Sequence, residues 1–301
     1  MQWAAGFRSR SVSDALSPPP LIRVGLLWNE HVKHHLLKFV RIRSWGTGFG
    51  LALFLLASAS VQGCTIFILT DTNRTLFCNN EDSDVPQTRI WFVPSHRHLW
   101  LGGKRYGCAF VGYADRWGQG GANTEGLAYD WVAGYEARWK RDPKLKRVWG
   151  NPAERMLATC ASVEEAVAFF QSHWEPGFSY AKILVADRSG ASVIIGATNG
   201  QLDIQKMKQS RGFGYGGKVI DKMLAANPAP TLTNAANMLG AASNRWTKYS
   251  NVFDLKSGDI FLFRFPEQPE AAKLNLAEEM KKGRHVYDIR TVKAQPIHKT
   301  K

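Results

Sequence analysis

Beyond residue 63 the chain alternates short apolar runs with turn residues, a pattern of strands separated by tight connections. Residues 65–70 (TIFILT), 75–78, 88–93 and 108–113 each predict a strand, so the chain opens as a β-rich segment. Near 152–159 and 162–172 the apolar spacing becomes that of an amphipathic helix. Ser162 and Glu165 have capping-box spacing ahead of the second apolar face. Strand patterning returns at 181–186 and 191–197, joined around Asp187-Arg188-Ser189-Gly190 as a hairpin. Helices are expected at 218–226 and 234–242, then a hairpin of 251–255 with 260–265 across Lys256-Ser257-Gly258-Asp259. A last helix is expected at 271–282, followed by a basic tail expected to be mobile. Runs of strands separated by helix pairs imply a layered α+β architecture, sheets packed together with helices outside. No repeat or low-complexity linker divides residues 64–301, which are read as a single domain.

The first 63 residues follow a different pattern. Lys33, Lys38, Arg41 and Arg43 precede the apolar stretch Phe49 to Ala57, which yields to Ser58, Ala59 and Ser60. That order of basic, apolar and small residues is a secretory signal. The apolar run is shorter than the ~20 residues that span a bilayer, so no membrane span is expected in the mature form. Removal after Gly63 would leave Cys64 as the terminus, whereas removal after Ala59 would leave Ser60-Val61-Gln62-Gly63 ahead of it. Lipoprotein processing at Val61-Gln62-Gly63-Cys64 and an uncleaved anchor are the alternatives. The expected location is secreted or periplasmic.

The chain has 301 residues, 45% of them apolar and 12% aromatic, enough for a packed core. Its formal charge of +14 is spread along the sequence without an arginine-rich run interleaved with aromatics, so no nucleic-acid partner is expected. The cysteines, Cys64, Cys78, Cys108 and Cys160, are too far apart for a CxxC zinc or redox site. One bridge among the last three, or three buried free thiols, are both open readings. His96 and His98 flank Arg97 in a polar turn without a third ligand nearby, and no metal or cofactor is expected. Residues 212–218 fit GxxxxGK, but Val219 stands where a phosphate-binding loop has Ser or Thr. The run is read as a flexible cleft loop. Oligomeric state is left open.

A terminal cysteine carries thiol and α-amine on one residue. An α-amine with pKa about 7.7–8.0 can accept a proton from the thiol at neutral pH. Cys64-Thr65, Asn79-Asn80-Glu81-Asp82, Thr88 through Pro94, Gly121 through Leu127 and Tyr249 through Gly258 occur in an order that resembles the linear-amide C–N hydrolases. That family includes choloylglycine hydrolases, penicillin V acylases, acid ceramidase-like enzymes and the isopenicillin N acyltransferase group.

The resemblance implies a four-layer αββα N-terminal nucleophile sandwich of two antiparallel sheets. Cys64 would attack a small-molecule amide and form a thioester, its α-amine acting as base, and Asp82 would hold the terminus in place. The sequence departs from the family at three positions. Asn79 stands where many choloylglycine hydrolases have an arginine, and Ala133 and Gly214 stand where they have asparagines of the oxyanion and substrate site. Asn123 and Asn244, or backbone N–H groups of residues 212–217, are the candidate replacement donors. Trp131 is the candidate aromatic wall of the substrate cleft. Glu81 and Asp84 are read as surface or turn residues. The implied activity is hydrolysis of an N-acyl amine, N-acyl amino acid, bile-salt or penicillin-type amide. Acyl transfer, or a binding protein on the same fold, is the alternative.

Overall fold

The computed structural model describes residues 63–97, 103–264, 270–293 and 295–296. The expected signal and its cleavage zone lie outside the described residues. In chain order the strands are β1 (Thr65–Thr70), β2 (Thr75–Asp82), β3 (Thr88–Val93), β4 (His96–Arg97), β5 (Lys104–Arg105), β6 (Cys108–Tyr113), β7 (Gly118–Asn123) and β8 (Leu127–Ala133). Helices α1 (Pro152–Thr159) and α2 (Val163–Ser172) follow, then β9 (Ala181–Asp187), β10 (Ser192–Thr198), β11 (Gln201–Lys206) and β12 (Phe213–Gly214). The chain continues through α3 (Gly217–Leu224), α4 (Leu232–Ala242), β13 (Thr247–Asp254), β14 (Asp259–Phe263), β15 (Glu270–Asn275), α5 (Leu276–Lys281), β16 (His285–Asp288) and β17 (Gln295–Pro296).

Two sheets hold most of these strands. The first runs β12-β1-β2-β13-β14-β15-β17 and the second β11-β10-β9-β8-β7-β6-β3-β16. The sequence explains why β1 is apolar on every position rather than on alternate ones. Ile66 and Ile68 face the second sheet and pack with Phe77, Ile90, Phe92 and Phe253. Phe67 and Leu69 face the other way, onto Ile220 of α3 and Met238 and Leu239 of α4. A strand covered on both faces gains burial from both sets of side chains, each large one contributing about 1.5–3 kcal/mol. The second sheet is covered likewise by α1 and α2, through Leu127, Tyr129 and Ile183 against Met156, Leu157 and Phe170. The layers are therefore αββα, as expected.

The helix starts follow capping chemistry. Asn151 accepts N–H groups of Ala153 and Glu154 at 2.9 and 3.4 Å, Ser162 accepts that of Glu165 at 3.2 Å, and Thr231 that of Asn234 at 3.1 Å. The helix expected at 271–282 is a correction. Residues 270–275 form β15, with Ala271 and Ala272 buried in the ladder beside β14, and only 276–281 are helical. Pairing along β14 overrides the local helix preference. Asn275 then caps the short helix through the N–H groups of Ala277 and Glu278. The segment that follows is not simply a free tail, because β16 pairs with β3 along the edge of the second sheet. All four cysteines are free and buried, so no bridge forms among the last three. Among the described residues no helix is long and apolar enough to cross a membrane.

Candidate active site

Strand register puts Cys64 at the end of β1, next to Glu81. Thr65 pairs with Asn80, so the residue before β1 falls opposite the residue after Asn80. Alternation along β2 then separates four consecutive polar residues. Asn79 and Glu81 share the inward face with Phe77, between the sheets. Asn80 faces outward and donates to the Leu239 carbonyl of α4 at 2.9 Å, while Asp82 meets the segment after α4. Asn79, Asn80 and Glu81 are all but inaccessible. The apolar run of β2 ends at Cys78, which is why a strand of eight residues reads as four in the sequence. Once β2 is known to continue, period 2 alone directs Glu81 inward. The expectation of a surface Glu81 is thus corrected: it is 2% exposed and lies opposite Cys64 on the face between the sheets.

Around that pair lies a polar cluster drawn from both sheets. Tyr113 Oη donates to Glu81 Oε1 at 2.8 Å and Asn79 Nδ2 to Glu81 Oε2 at 3.2 Å. Asn79 Nδ2 also reaches Asn251 Oδ1 at 3.5 Å. Asp130 enters from β8 across from Gly120, where any Cβ would stand 2.1 Å from Asp130 Oδ2, so only glycine leaves space for the carboxylate. Four buried polar atoms of this cluster have no hydrogen-bond partner: Asn79 Oδ1, Asp130 Oδ2, Tyr249 Oη and Asn251 Nδ2. An unpaired buried polar atom costs about 1–3 kcal/mol, so this cluster is not optimised for stability.

Burial dominates the electrostatics of the cluster, and Lys248 acts only on Asp82. Burial pushes the Cys64 thiol well above its ordinary range, and Glu81, Asp130 and the Asp82 carboxylate push the same way, opposed only by the Asp82 backbone. Burial likewise raises Glu81, opposed by the hydrogen bonds from Tyr113 and Asn79, and raises Asp130, with Glu81 adding to it. Burial raises Asp82 against the hydrogen bonds of Thr247 and Asn244. The resting sulfur is therefore a thiol rather than a thiolate.

The structure brings together some of the expected site residues and separates others. Asn79 lies in the cluster. Asn244 joins Asp82, donating from Nδ2 to Oδ2 at 2.6 Å while Thr247 donates to Oδ1 at 2.7 Å. Gly214 pairs with Thr65 at φ +97°, and a Cβ there would lie 1.9 Å from the Cys64 carbonyl oxygen, so any side chain would push β12 off the Cys64 backbone.

Three expectations are corrected. Asn123 is not a substrate donor: Nδ2 binds the carbonyls of Leu157 and Cys160, both at 2.7 Å, and Oδ1 accepts from Glu125 and Leu127, which fixes a turn at the far end of the sheets. Trp131 is not a cleft wall beside the thiol: period 2 turns Asp130 inward and Trp131 outward, onto Phe178 at 5.6 Å. Two of the loop donors in 212–217 are already engaged, Tyr215 N–H by the Cys64 carbonyl at 3.2 Å and Gly216 N–H by Thr65 Oγ1 at 2.8 Å.

An open cleft of about 370 Å³ lies along β12, lined by Tyr135, Lys182, Arg211, Phe213, Gly214 and Lys218. Among the described residues no group of three or more His, Cys, Asp or Glu side chains is arranged to hold a metal.

Two facing antiparallel sheets with outer helix layers are the architecture of the N-terminal nucleophile hydrolases, and Cys64 stands just ahead of β1, the second strand of the first sheet. Solved structures share it. Penicillin V acylase from Agrobacterium tumefaciens superposes with TM-score 0.57 at 17% identity, over 78% of this chain and 93% of that one. A variant of conjugated bile acid hydrolase from Clostridium perfringens gives 0.59 at 13%, over 79% and 98%. The model of the acyl-coenzyme A:6-aminopenicillanic acid acyl-transferase family matches residues 69–251, and the chain belongs to that family, within the linear-amide C–N hydrolases. No curated protein matches the chain.

Proposed function

We propose that the protein is an exported cysteine amidohydrolase that cleaves a non-peptide linear amide, such as an N-acyl amine or N-acyl amino acid, through a thioester on Cys64. The observation that carries this reading is the placement of Cys64 between the sheets, ahead of β1 and opposite Glu81, with its backbone against Gly214, a residue that lines the cleft along β12. The Cys64 sulfur bonds to the amide carbonyl carbon, the tetrahedral adduct expels the amine, and water releases the acid from the thioester. The Asp82–Asn244–Thr247 hydrogen bonds hold the end of β2 beside Cys64, which supplies orientation. Asn251 Nδ2, buried and unpartnered, is the candidate oxyanion donor in place of the asparagines the family has at Ala133 and Gly214.

The names of the similar proteins support acyl chemistry: acylase, acid hydrolase and acyl-transferase. Acyl transfer differs only in that an amine rather than water takes the thioester, and the family match favours it as the second reading.

The test is expression of the full chain in a secreting host, the mass and N-terminal residue of the product, and a screen of N-acyl amides against it and against Cys64→Ala. A chain beginning at Cys64 that releases amine, with Cys64→Ala inert, supports the proposal. Turnover that survives in Cys64→Ala, or no turnover by a chain with free Cys64, overturns it in favour of a binding protein.

A further inference from the structure

The cleft along β12 carries positive charge that the fold leaves unpaired. Lys182, Arg211 and Lys218 line it, and Asp221 is the one carboxylate among its lining residues. Lys182 is already engaged, its Nζ 2.8 Å from Asp203 Oδ2, and Asp221 Oδ1 accepts the Gly212 N–H at 2.7 Å. Among the described residues neither Arg211 nor Lys218 has a carboxylate within ion-pairing distance. Set against Asp203 and Asp221, the three cations leave one net positive charge at the cleft.

Arg211 is held in place by a chain of hydrogen bonds. Asp203 Oδ2 accepts Gln205 Nε2 at 2.7 Å as well as Lys182, and Gln205 Oε1 in turn accepts Arg211 Nη2 at 3.2 Å. That bond uses one of the five guanidinium N–H groups, so the fork keeps donors for a ligand. Tyr135 and Phe213, which also line the cleft, stack with ring centres 5.4 Å apart, and Ile194 adds an apolar wall. The cleft thus offers a cationic end and an apolar run.

The apolar run leads to Cys64. Phe213 pairs with Ile66 and Gly214 with Thr65, and the Tyr215 N–H donates to the Cys64 carbonyl at 3.2 Å. Arg211 precedes Gly214 by three residues, at most about 10 Å of chain at ~3.3 Å per residue. A small molecule held at Arg211 therefore extends along the aromatic pair toward Cys64. We propose that this cleft is the subsite for a carboxylate on the amide substrate, with Arg211 as its clamp and Lys218 as a second contact. A guanidinium fork meets a carboxylate in two parallel hydrogen bonds, and one net positive charge suits a monoanion better than a phosphate dianion. The substrate class narrows to amides that bear a carboxylate, such as an N-acyl amino acid or the monoamide of a dicarboxylic acid, in place of a neutral N-acyl amine.

This inference rests on the proposed amidohydrolase reading, and binding measured apart from turnover separates the two. In the secreted full-chain Cys64→Ala protein, isothermal titration at pH 7 compares N-hexanoylglycine with neutral N-hexanoylglycinamide, and the monoethylamide of adipic acid with neutral N-ethylhexanamide. The first pair carries the carboxylate on the amine side of the amide and the second on the acyl side. In at least one pair the charged ligand is expected to bind at least ~10-fold more tightly, the scale of a charge-assisted hydrogen bond, and the pair that shows it names the side. Arg211→Gln should remove most of that preference, and Lys218→Gln a smaller part. Both side chains are exposed, and the only hydrogen bond of Arg211 among the described residues is the one to Gln205, so neither change threatens the fold.

Equal affinity for charged and neutral ligands in both pairs overturns the subsite. So does the absence of binding by all four, or a preference that Arg211→Gln leaves intact. A wild type that hydrolyses neutral amides, with no Arg211-dependent preference in Cys64→Ala, keeps the proposed function and rejects the subsite. Arg211-dependent carboxylate binding by a protein that turns over no amide does the reverse.

Discussion

Glu81 and Glu279 are both nearly inaccessible carboxylates, 2% and 3% exposed, yet their surroundings differ in sign. Burial pushes Glu279 up, but the hydrogen bonds from Lys282 at 2.7 Å, His285 at 2.8 Å and Tyr287 at 3.1 Å outweigh it and leave the group lowered. Glu81 is offered neutral donors, stands near Asp82 and Asp130, and is raised. The first arrangement ties α5 to β16 and stabilises a chain end. The second holds an acid beside polar atoms without partners. The carboxylate with its cations ties two elements together, and the one without them sits at Cys64.

The comparison is broken most directly at the sulfur. Cys64→Ala should lower amide turnover at least ~10³-fold, as loss of a covalent nucleophile does, while Glu279→Gln leaves it within about threefold; initial rates on any substrate found by the screen check this. Next in size, Glu279→Gln should destabilise the fold by about 1–3 kcal/mol at pH 7 in denaturant melts, because charge-assisted bonds to Lys282 and His285 are lost.

Opposite pH slopes follow from the two directions. The Glu279 contribution is present above the ordinary carboxylate pKa and is lost as pH falls through its lowered folded value, so Glu279→Gln should flatten the acid side of the stability curve. The Glu81 contribution is present below the ordinary carboxylate pKa and is lost as pH rises through its raised folded value. Wild-type stability should therefore fall as pH rises from the ordinary carboxylate range toward neutrality, and Glu81→Gln should remove that fall in denaturant melts.

The smallest effect is expected at two tyrosines. Tyr287→Phe loses a bond to Glu279 and should cost about 1 kcal/mol, whereas Tyr249→Phe removes a buried hydroxyl with no partner and should leave stability unchanged or raise it by a few tenths of a kcal/mol. Thermal melts of the pair test whether the polar cluster at Cys64 opposes folding.

Much of this molecule was legible along the chain. The doubly covered β1, the capped α2, the hairpins of β9 with β10 and β13 with β14, and the Cys64-to-Asp82 spacing all rest on local pattern, which needs only neighbours a few residues away. Legibility failed where partners were distant. Residues 270–275 score as helix until β14 lies beside them. Asn123 reads as a free amide donor until Leu157 and Cys160 appear above it, and Trp131 reads as a cleft wall until the inward face is assigned to Asp130.

By itself the sequence determined the layered fold and the place of Cys64 ahead of its first strand, because periodicity, caps and a cysteine ahead of a strand are properties of consecutive residues. Only the tertiary structure decided the chemistry around that sulfur. Whether a buried acid is raised or lowered depends on which groups stand across the gap between two sheets, and Tyr113 and Asp130 reach Glu81 from strands far along the chain.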